Sequence, residues 1–294
     1  MTIRHLRIFI AVAEAGTMSL AAKRLYIAQP TVSQAIAEIE ADCGARLFER
    51  LGKKLYITGE GDRLLRYARP ITGLFDEMER AMRNAGRAVC LRVGATMTVG
   101  SCVLTPLLDS FEAKHPQVQV QAVVDNTHAI EEMLLDSRLD LALVEGEIHS
   151  PDLLVRPVIR DELVLVCPPD HPFARRAGIL AEELEGQPFI LREEGSGTRA
   201  RLEEFLKSRD IAIVPKWICY GADPILAAVE GGQGLSVISR RLVECRAAGG
   251  RLAIVPVRDA ALERAFSLVY HTDKFLSEPL RQLLETVETS AYAS

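Results

Sequence analysis

The chain contains 294 residues, of which 48% are hydrophobic and 26% are charged. This is the composition of an ordinary globular protein, and the length leaves room for two or three domains. No run of 18 apolar residues occurs, which argues against a transmembrane helix, and the N-terminal segment lacks the regions of a signal peptide. We therefore expect a cytoplasmic protein that does not bind membranes.

The charge is unevenly distributed along the chain. The first 90 residues carry 14 Lys and Arg against 10 Asp and Glu, whereas the remaining residues carry 21 against 30. A mildly basic N-terminal part joined to an acidic body is typical of a protein with a nucleic-acid-binding end.

The six cysteines form no CxxC pair and no Cys/His cluster with zinc spacing. Five of them lie in apolar or helical surroundings and are interpreted as small core residues in a reducing compartment. The sequence therefore predicts no metal site and no cofactor.

The N-terminal region begins with two short helices. Apolar residues at helical spacing predict the first over Ile3–Ala15, and Gly16 ends it. The second is predicted over Leu20–Leu25 with Ser19 as its N-cap.

A tight turn at residues 26–28 leads into a third helix, which begins near Gln29 and Pro30, where proline is tolerated in the first turn. Its apolar residues Val32, Ile36 and Ile39 are predicted to face inward. The outward-facing residues are Gln29, Thr31, Ser33, Gln34 and Glu38. These amide and hydroxyl groups suit base edges in the major groove of DNA.

A short basic hairpin at residues 50–55 follows the third helix and is placed to meet the DNA backbone or the minor groove. The alternative is a generic helical bundle with a solvated polar face. Because the turn, the reading helix and the basic hairpin occur together, we predict a winged helix-turn-helix.

One long helix is predicted over residues 59–88. An alternating spacing of four and three forms a seam of Leu64, Ala68, Ile71, Phe75, Met78 and Met82. This seam favours pairing with a second copy of the helix, and packing of one amphipathic helix on its own domain is the alternative. Pro70 is expected to kink or divide the helix, and Gly86 to end it.

The rest of the chain alternates strands with helices. Apolar, β-branched runs predict strands at residues 90–95, 118–124, 140–146, 162–168, 216–220, 234–239 and 265–271. Helices are predicted at residues 101–114, 128–136, 199–208 and 223–230. This alternation predicts parallel sheets covered by helices, arranged as two α/β lobes, the first at 89–160 and 266–294 and the second at 161–265.

The N-terminal motifs resemble those of the LysR-type transcriptional regulators in order and spacing. The residues that carry the resemblance are Ala21, Ala22, Leu25, Gln29, Pro30, Val32, Ser33, Ile36, Ile39, Glu40, Gly44, Leu47, Phe48, Arg50, Thr58 and Gly61. The resemblance implies a DNA-binding domain at 1–58, a linker helix at 59–88 and, at 89–294, an α/β effector domain similar to periplasmic binding proteins.

The family resemblance also implies what the protein does. It implies a homodimer or homotetramer that binds double-stranded promoter DNA, responds to a small-molecule effector, and has no enzymatic activity, with RNA polymerase as a further partner. The residues that would contact DNA are Gln29, Pro30, Thr31, Ser33 and Gln34 from the third helix and Arg50, Lys53 and Lys54 from the hairpin. The neutral Gln34 would read guanine weakly.

Three segments are expected to line a crevice between the lobes, since ligands of such folds bind at the carboxyl ends of strands. They are residues 95–101, 193–199 and 220–223. The first two are predicted helix starts, where backbone N–H groups and hydroxyls form an anion site. The candidate effector-binding residues are Thr96, Thr98, Gly100, Ser101, Asn126, Thr127, Glu145, Ser196, Thr198, Arg199 and Asp223.

The segments 195–199 and 144–146 resemble the branch of the family that regulates sulfur assimilation and carbon fixation. That resemblance implies a small oxyanion effector, such as sulfite, sulfate or a phosphorylated metabolite. Simpler interpretations stay open: Ser101 and Thr198 as helix caps, and Arg199 in a surface pair with Glu203. Glu145 would repel a doubly charged anion and would favour a protonated one.

Two other functions deserve weighing. A hydrolase is disfavoured because no serine lies in a G-x-S-x-G elbow and the six histidines are scattered. A redox-sensing regulator is the second alternative, since Cys102 is placed near a helix N-terminus that would lower its pKa. Its resolving partner would be Cys167 or Cys219. The missing signal peptide and the DNA-binding head argue against a transport-type binding protein.

Overall fold

The computed structural model describes residues 1–52, 54–83, 89–259 and 262–290. These form two compact units. The first contains the described residues up to Arg83, together with the short segments 135–138 and 273–275, and the second contains the others. Within the described residues, no helix is long and apolar enough to cross a membrane.

The first unit begins with two short helices, α1 (Ile3–Ala15) and α2 (Met18–Leu25). Gly16 ends α1 in the left-handed conformation, as predicted. The prediction that Ser19 caps α2 is wrong, because Ser19 already lies inside the helix. Thr17 is the N-cap, and its side chain accepts a hydrogen bond from the backbone N–H of Leu20.

The third helix, α3 (Gln29–Cys43), is followed by a hairpin of β1 (Phe48–Leu51) and β2 (Lys54–Ile57). The strands pair antiparallel, with Leu51 opposite Lys54. Apolar residues of all three helices and β1 form one buried core, in which Phe9, Val12, Val32 and Ile39 are fully enclosed. This local core gives the hairpin and α3 a common rigid base.

The long helix α4 runs over Gly59–Arg83 with Pro70 inside it. Of the two outcomes expected at Pro70, a kink or a division of the helix, the continuous helix excludes division. The predicted C-terminal part at 84–88, with Gly86, lies outside the described residues. The seam has two parts: Leu64 and Ala68 pack into the core of the head, whereas Ile71, Met78 and Met82 are 46%, 50% and 76% exposed.

The second unit contains the predicted strands and several that sequence analysis missed. Its strands are β3 (Val89–Thr96), β4 (Val118–Asp125), β5 (Leu141–Val144), β6 (Leu153–Cys167), β7 (Pro188–Arg192), β8 (Val214–Cys219), β9 (Ser236–Ser239), β10 (Ala253–Val255) and β11 (Glu263–His271). The first half of β6 and the strands β7 and β10 were not predicted. The first half of β6 escaped prediction because polar residues and Pro157 interrupt its apolar run.

The helices of this unit are α5 (Met97–Val99), α6 (Thr105–Lys114), α7 (Thr127–Leu135), α8 (Gly197–Ser208), α9 (Asp223–Glu230), α10 (Arg240–Ala248) and α11 (Glu278–Glu288). A π-helical turn over Gly100–Leu104 joins α5 to α6, so this helical segment begins four residues before the predicted start at 101. The helices α10 and α11 were not predicted.

The seven-stranded sheet has the order β10-β6-β11-β5-β3-β4, with β9 also paired to β6. The strand β3 lies parallel to β4 and β5, whereas β11 lies antiparallel to β5 and β6. A separate parallel pair joins β7 to β8. The expectation of parallel sheets therefore holds for β3, β4, β5, β7 and β8, and the strands around β6 are antiparallel.

Buried apolar residues of this unit form separate cores, which contain different halves of the long strand β6. One contains residues from β3, β5, α6, the second half of β11 and α11. The others contain the second half of β6 with residues between Phe173 and Leu262. The exact lobe and domain boundaries given above stay predictions.

Candidate DNA-binding surface and effector site

The helix α3 separates its apolar and polar faces cleanly. Val32, Ile36 and Ile39 are buried, as predicted. The polar residues of the opposite face are exposed or partly exposed, and these are Gln29, Pro30, Thr31, Ser33, Gln34 and Glu38. The amide of Gln34 donates to Glu38 Oε1 at 2.9 Å. The exposed amides and hydroxyls of this face can hydrogen-bond base edges.

The hairpin presents basic side chains beside α3. Arg50 and Lys54 are exposed, and Lys53 lies outside the described residues. The hairpin is held to the head by a hydrogen bond from Leu55 N–H to the Gly16 carbonyl at 2.8 Å. Gly52 adopts a φ of 64°, which the tight turn requires. Cations fixed in this way suit contacts with backbone phosphates.

The second unit contains a buried polar cluster centred on Arg264, which lies near the start of β11. Its Nε donates to Asp161 Oδ2 at 2.7 Å, and Nη1 donates to Thr198 Oγ1 at 2.9 Å. Nη2 lies 3.2 Å from Glu145 Oε2 and 3.5 Å from Thr98 Oγ1. The Arg264 side chain is 6% exposed. One guanidinium therefore joins residues from β6, the end of β5, α5 and α8.

A second buried arginine lies in the same cluster. Arg192 forms two hydrogen bonds of 2.8 Å with the carboxylate of Glu193, and its Nη1 lies 4.0 Å from Glu145 Oε1. Burial by itself raises the pKa of Glu193, but the bonds from Arg192 outweigh it and hold the pKa below its usual value. Two arginines thus share the carboxylates of Glu145, Asp161 and Glu193 in a largely dry environment.

Two hydroxyls beside this cluster have no hydrogen-bond partner. Thr127 Oγ1 and Ser196 Oγ are buried and unpaired, and both residues line a cavity of about 250 Å³. The two backbones meet closely here, since a β-carbon at Gly197 would lie 2.4 Å from the α-carbon of Gly146. Two residues of this pocket thus carry a buried hydroxyl without a hydrogen-bond partner, a feature that is rare in folded proteins.

Several of the predicted effector residues lie together in the structure. Thr96 accepts a hydrogen bond from Glu145 N–H at 3.0 Å, and Glu145, Thr98 and Thr198 surround Arg264. Thr127 and Ser196 line the adjoining cavity. The prediction that these residues gather in one place therefore agrees with the geometry, and their role toward a ligand stays a proposal.

Other predicted residues do not face the cluster. Ser101 is exposed and donates to the Met97 carbonyl at 2.9 Å, and Asn126 Oδ1 caps α7 by accepting from Ala129 N–H. Arg199 pairs with Glu203 at 2.7 Å on the cavity rim. The carboxylate of Asp223 is 90% exposed and pairs with Arg246. A β-carbon at Gly100 would meet Val124, so this glycine allows the helical segment to pack against β4.

Sequence analysis missed Arg192 and Arg264, although they supply the charge of the cluster. Arginine in a strand usually indicates an exposed position. The signal that could have indicated a buried ion pair is Asp161, which lies directly opposite Arg264 in the antiparallel register of β6 and β11. That register cannot be read from the order of residues alone.

The expected lowering of the Cys102 pKa is wrong. Burial, together with the nearby carboxylate of Asp161, raises the pKa of this thiol to about 11. The thiol lies in the π-helical turn, and α5 before it has only three residues. A thiol that remains protonated is a poor nucleophile toward peroxide, so the redox alternative loses its physical basis.

A helical head with an exposed polar helix and a basic hairpin, in one chain with an α/β unit that contains a polar pocket, is the arrangement of a ligand-responsive DNA-binding regulator. Comparison with known proteins agrees. Residues 3–62 match the family model "Bacterial regulatory helix-turn-helix protein, lysR family", and residues 83–291 match the LysR substrate binding domain. The chain belongs to the LysR family of transcriptional regulators, which bind DNA, respond to effectors and are not enzymes.

Similar proteins include regulators of known and unknown targets. The chain is 32% identical over 285 residues to the uncharacterized HTH-type transcriptional regulator YeiE of Escherichia coli, covering 97% of this chain and 96% of that one. It is 31% identical to the RuBisCO operon transcriptional regulator of Allochromatium vinosum, covering 99% and 97%.

A solved structure matches the second unit. This is the CcmR regulatory domain of Synechocystis in complex with 2-PG, which is 26% identical with a TM-score of 0.64 and covers 68% of this chain and 95% of that one. The similarity confirms the fold of an effector domain.

Proposed function

We propose that the effector of this regulator is a small oxyanion that binds in the cavity beside the Arg264 cluster. The observation that carries the proposal is the pair of buried, unpaired hydroxyls of Thr127 and Ser196, two residues that line a pocket of about 250 Å³. Hydroxyls without an acceptor inside the protein can donate to the oxygens of an anion. The volume suits sulfite, sulfate, phosphate or a short phosphorylated metabolite.

The surroundings of the cavity support an anion that carries a proton. The carboxylate of Glu131 accepts hydrogen bonds from the backbone N–H groups of His149 and Ser150 at 2.9 and 2.8 Å, and Glu203 pairs with Arg199. The remaining lining carboxylates would repel a doubly charged ligand. We therefore favour a singly charged, protonated anion, which donates to a carboxylate and accepts from the hydroxyls.

The relatives supply independent support for this class of ligand. The matched CcmR domain was solved in complex with 2-PG, and the relative from Allochromatium vinosum is a RuBisCO operon regulator. These names agree with the carbon-fixation branch that segments 144–146 and 195–199 resemble.

The test is a thermal-shift screen against sulfite, sulfate, thiosulfate, phosphate and small sugar phosphates. A ligand present at about 100 times its dissociation constant adds about 2.7 kcal/mol to the free energy of unfolding. We expect one of these anions to raise the melting temperature of the wild-type chain. The double variant Thr127→Val, Ser196→Ala should abolish that rise.

The matched control is Ser208→Ala, which removes an exposed hydroxyl at the end of α8 whose partner is the Phe205 carbonyl. This variant should keep the full response. An unchanged response in the double variant would place the ligand elsewhere, and no response to any anion would contradict the oxyanion class itself.

We further propose that α3 enters the major groove with Gln29, Pro30, Thr31, Ser33 and Gln34, and that Arg50, Lys53 and Lys54 contact the backbone. The support is the exposed polar face of α3 next to exposed cations. Gln29→Ala should lower affinity for a duplex selected in vitro by about 1–3 kcal/mol and relax its base preference. If Gln29→Ala bound every duplex with the same affinity as the wild type, this assignment would be contradicted.

The exposed half of the α4 seam supports assembly with a second copy, as a dimer or a tetramer. Ile71, Met78 and Met82 are 46%, 50% and 76% exposed, and such an apolar row on a helix is stabilised by a partner helix. Met78→Asp should shift the mass measured by light scattering to that of a smaller assembly. We also propose that RNA polymerase is a partner and that the protein is located in the cytoplasm, as expected for a protein that acts at promoters.

A further inference from the structure

Tyr26 stands out on the surface of the head. It is 94% exposed, the highest value among the large hydrophobic side chains of the described residues. Its backbone also has a φ of 55° and a ψ of 40°, the left-handed conformation. Only Ser137 and Asp210 share a positive φ among the described non-glycine residues, and both are small or polar. A bulky residue in this conformation is a true outlier.

The left-handed conformation is imposed by the end of α2. Tyr26 N–H donates to the Lys23 carbonyl, and Ile27 N–H donates to the Ala22 carbonyl at 3.1 Å. This pair of bonds is the Schellman pattern that ends a helix and that glycine normally fills. The head uses glycine at its two other helix ends, since Gly16 ends α1 and Gly44 ends α3, each with a φ of 65°.

Tyrosine at this position is therefore unfavourable in two ways that do not apply to glycine. A non-glycine residue in the left-handed region costs about 1–2 kcal/mol, and the aromatic ring remains in water. Strain retained at one position, when the same fold avoids it at two equivalent positions, points to a function for the side chain.

The position of Tyr26 identifies the partner. It follows the exposed basic residues Lys23 and Arg24 in the last turn of α2, and precedes Gln29, the first residue of α3, by three positions. Three residues of chain span at most about 11 Å, so Tyr26 lies at the edge of the proposed DNA-reading surface. Ala28 between them is the N-cap of α3 and has no side chain that could fill this edge.

We propose that Tyr26 contacts the DNA backbone beside the groove that α3 reads. Its ring packs on a deoxyribose, and its hydroxyl donates a hydrogen bond to a phosphate oxygen. Such a contact positions the helix on the duplex and carries no base information. Because the phenol is neutral, it releases no counterion and leaves the salt dependence unchanged. The inference rests on the DNA-reading surface proposed above.

The experiment measures binding of the full-length chain to two fluorescein-labelled duplexes, one selected in vitro and one of random sequence. The key variant is Tyr26→Asn, since asparagine tolerates the left-handed conformation and removes the ring. We expect the dissociation constant to rise about five- to tenfold on both duplexes, which corresponds to one lost hydrogen bond with its packing. The melting temperature should stay equal or rise, so misfolding cannot explain the loss.

Three companion variants sharpen the outcome. Tyr26→Phe keeps the ring. On a logarithmic scale its dissociation constant should rise about half as much as that of Tyr26→Asn. Lys23→Ala should reduce the slope of log affinity against log salt by about 1, whereas Tyr26→Asn should not change it. Gln29→Ala should weaken binding to the selected duplex only.

Each contrary result has a distinct meaning. If Tyr26→Asn binds both duplexes as tightly as wild type while Gln29→Ala is weakened, Tyr26 does not contact DNA and the inference is wrong. If that variant also lowers transcription from a reporter, the tyrosine meets RNA polymerase instead. If Gln29→Ala and Tyr26→Asn both bind like wild type, the proposed DNA-reading surface itself is wrong.

Discussion

The DNA-reading head and the Arg264 cluster hold their polar groups in opposite ways. The polar face of α3 is exposed, and the helix sets the direction of Ser33, Gln34 and Glu38. In the Arg264 cluster, beside the proposed effector pocket, the side chains of Thr98, Glu145, Thr198 and Arg264 are buried and fix one another. The head is therefore preorganised by local structure, whereas the cluster is preorganised by contacts between distant segments. A change of one residue should cost little stability in the head and much in the cluster.

The largest predicted effect is that of Arg264→Met. The substitution leaves Glu145 and Asp161 buried without the guanidinium that pairs with both. Removing one partner of a buried ion pair typically costs about 3–5 kcal/mol. We expect the free energy of unfolding of the second unit to fall by this amount. Urea denaturation of the variant and the wild type measures the difference.

The matched control is Arg240→Met. Arg240 pairs with Glu162 at 2.6 Å, and the two side chains are 39% and 49% exposed. An exposed pair contributes about 0–1 kcal/mol. If Arg264→Met and Arg240→Met shifted the transition equally, the cluster would not hold the second unit together, and the contrast with the head would be lost.

These two regions also show what the sequence could predict. The helices α1 and α3, the hairpin and most strands follow from periodicity and turn residues, which act within a few positions. The partners of Arg264 lie 66 to 166 residues away in the chain. Hydroxyls near helix starts were therefore recognisable as candidates, but the arginine that contacts Thr98 and Thr198 depends on strand register and was not.

The second prediction concerns the close approach of two backbones beside the proposed effector pocket. Gly197→Ala would place a β-carbon 2.4 Å from Gly146 Cα, and backbone atoms cannot yield as a flexible side chain can. Forcing apart a packed contact costs about 1–3 kcal/mol. We expect a lower unfolding midpoint and a weaker anion-induced thermal shift.

Gly249→Ala is the control for this substitution. Gly249 follows α10 with a φ of −79°, which alanine adopts readily, and its β-carbon would make an ordinary contact of 3.4 Å with the Cys245 carbonyl. Its midpoint should stay the same or rise slightly, because alanine restricts the unfolded chain. A similar loss in both variants would show that the approach of Gly146 and Gly197 has no special role.

The third prediction tests the local character of the head. Thr17→Ala removes the side chain that accepts from Leu20 N–H and should cost about 1 kcal/mol, as expected for an N-cap. Ser19→Ala, two residues further on, should change the free energy of unfolding by less than about 0.5 kcal/mol. Helix starts are uncertain by one or two residues from sequence alone, which explains why the pattern indicates Ser19 and the structure has Thr17 as the cap. Thermal unfolding of both variants decides between the two caps.

The smallest predicted effect is that of Cys102→Ser, which should leave the response of a reporter to peroxide unchanged. With a pKa of about 11, roughly one Cys102 thiol in a thousand is ionised at pH 8. Because the thiolate is the reactive species, alkylation of Cys102 by iodoacetamide should be slow at pH 8 and accelerate with rising pH. Cys43 and Cys245 are exposed and serve as internal references in a mass-spectrometric time course. Fast modification of Cys102 at pH 7, together with loss of a peroxide response in Cys102→Ser, would restore the redox alternative and displace the oxyanion from its role as the signal.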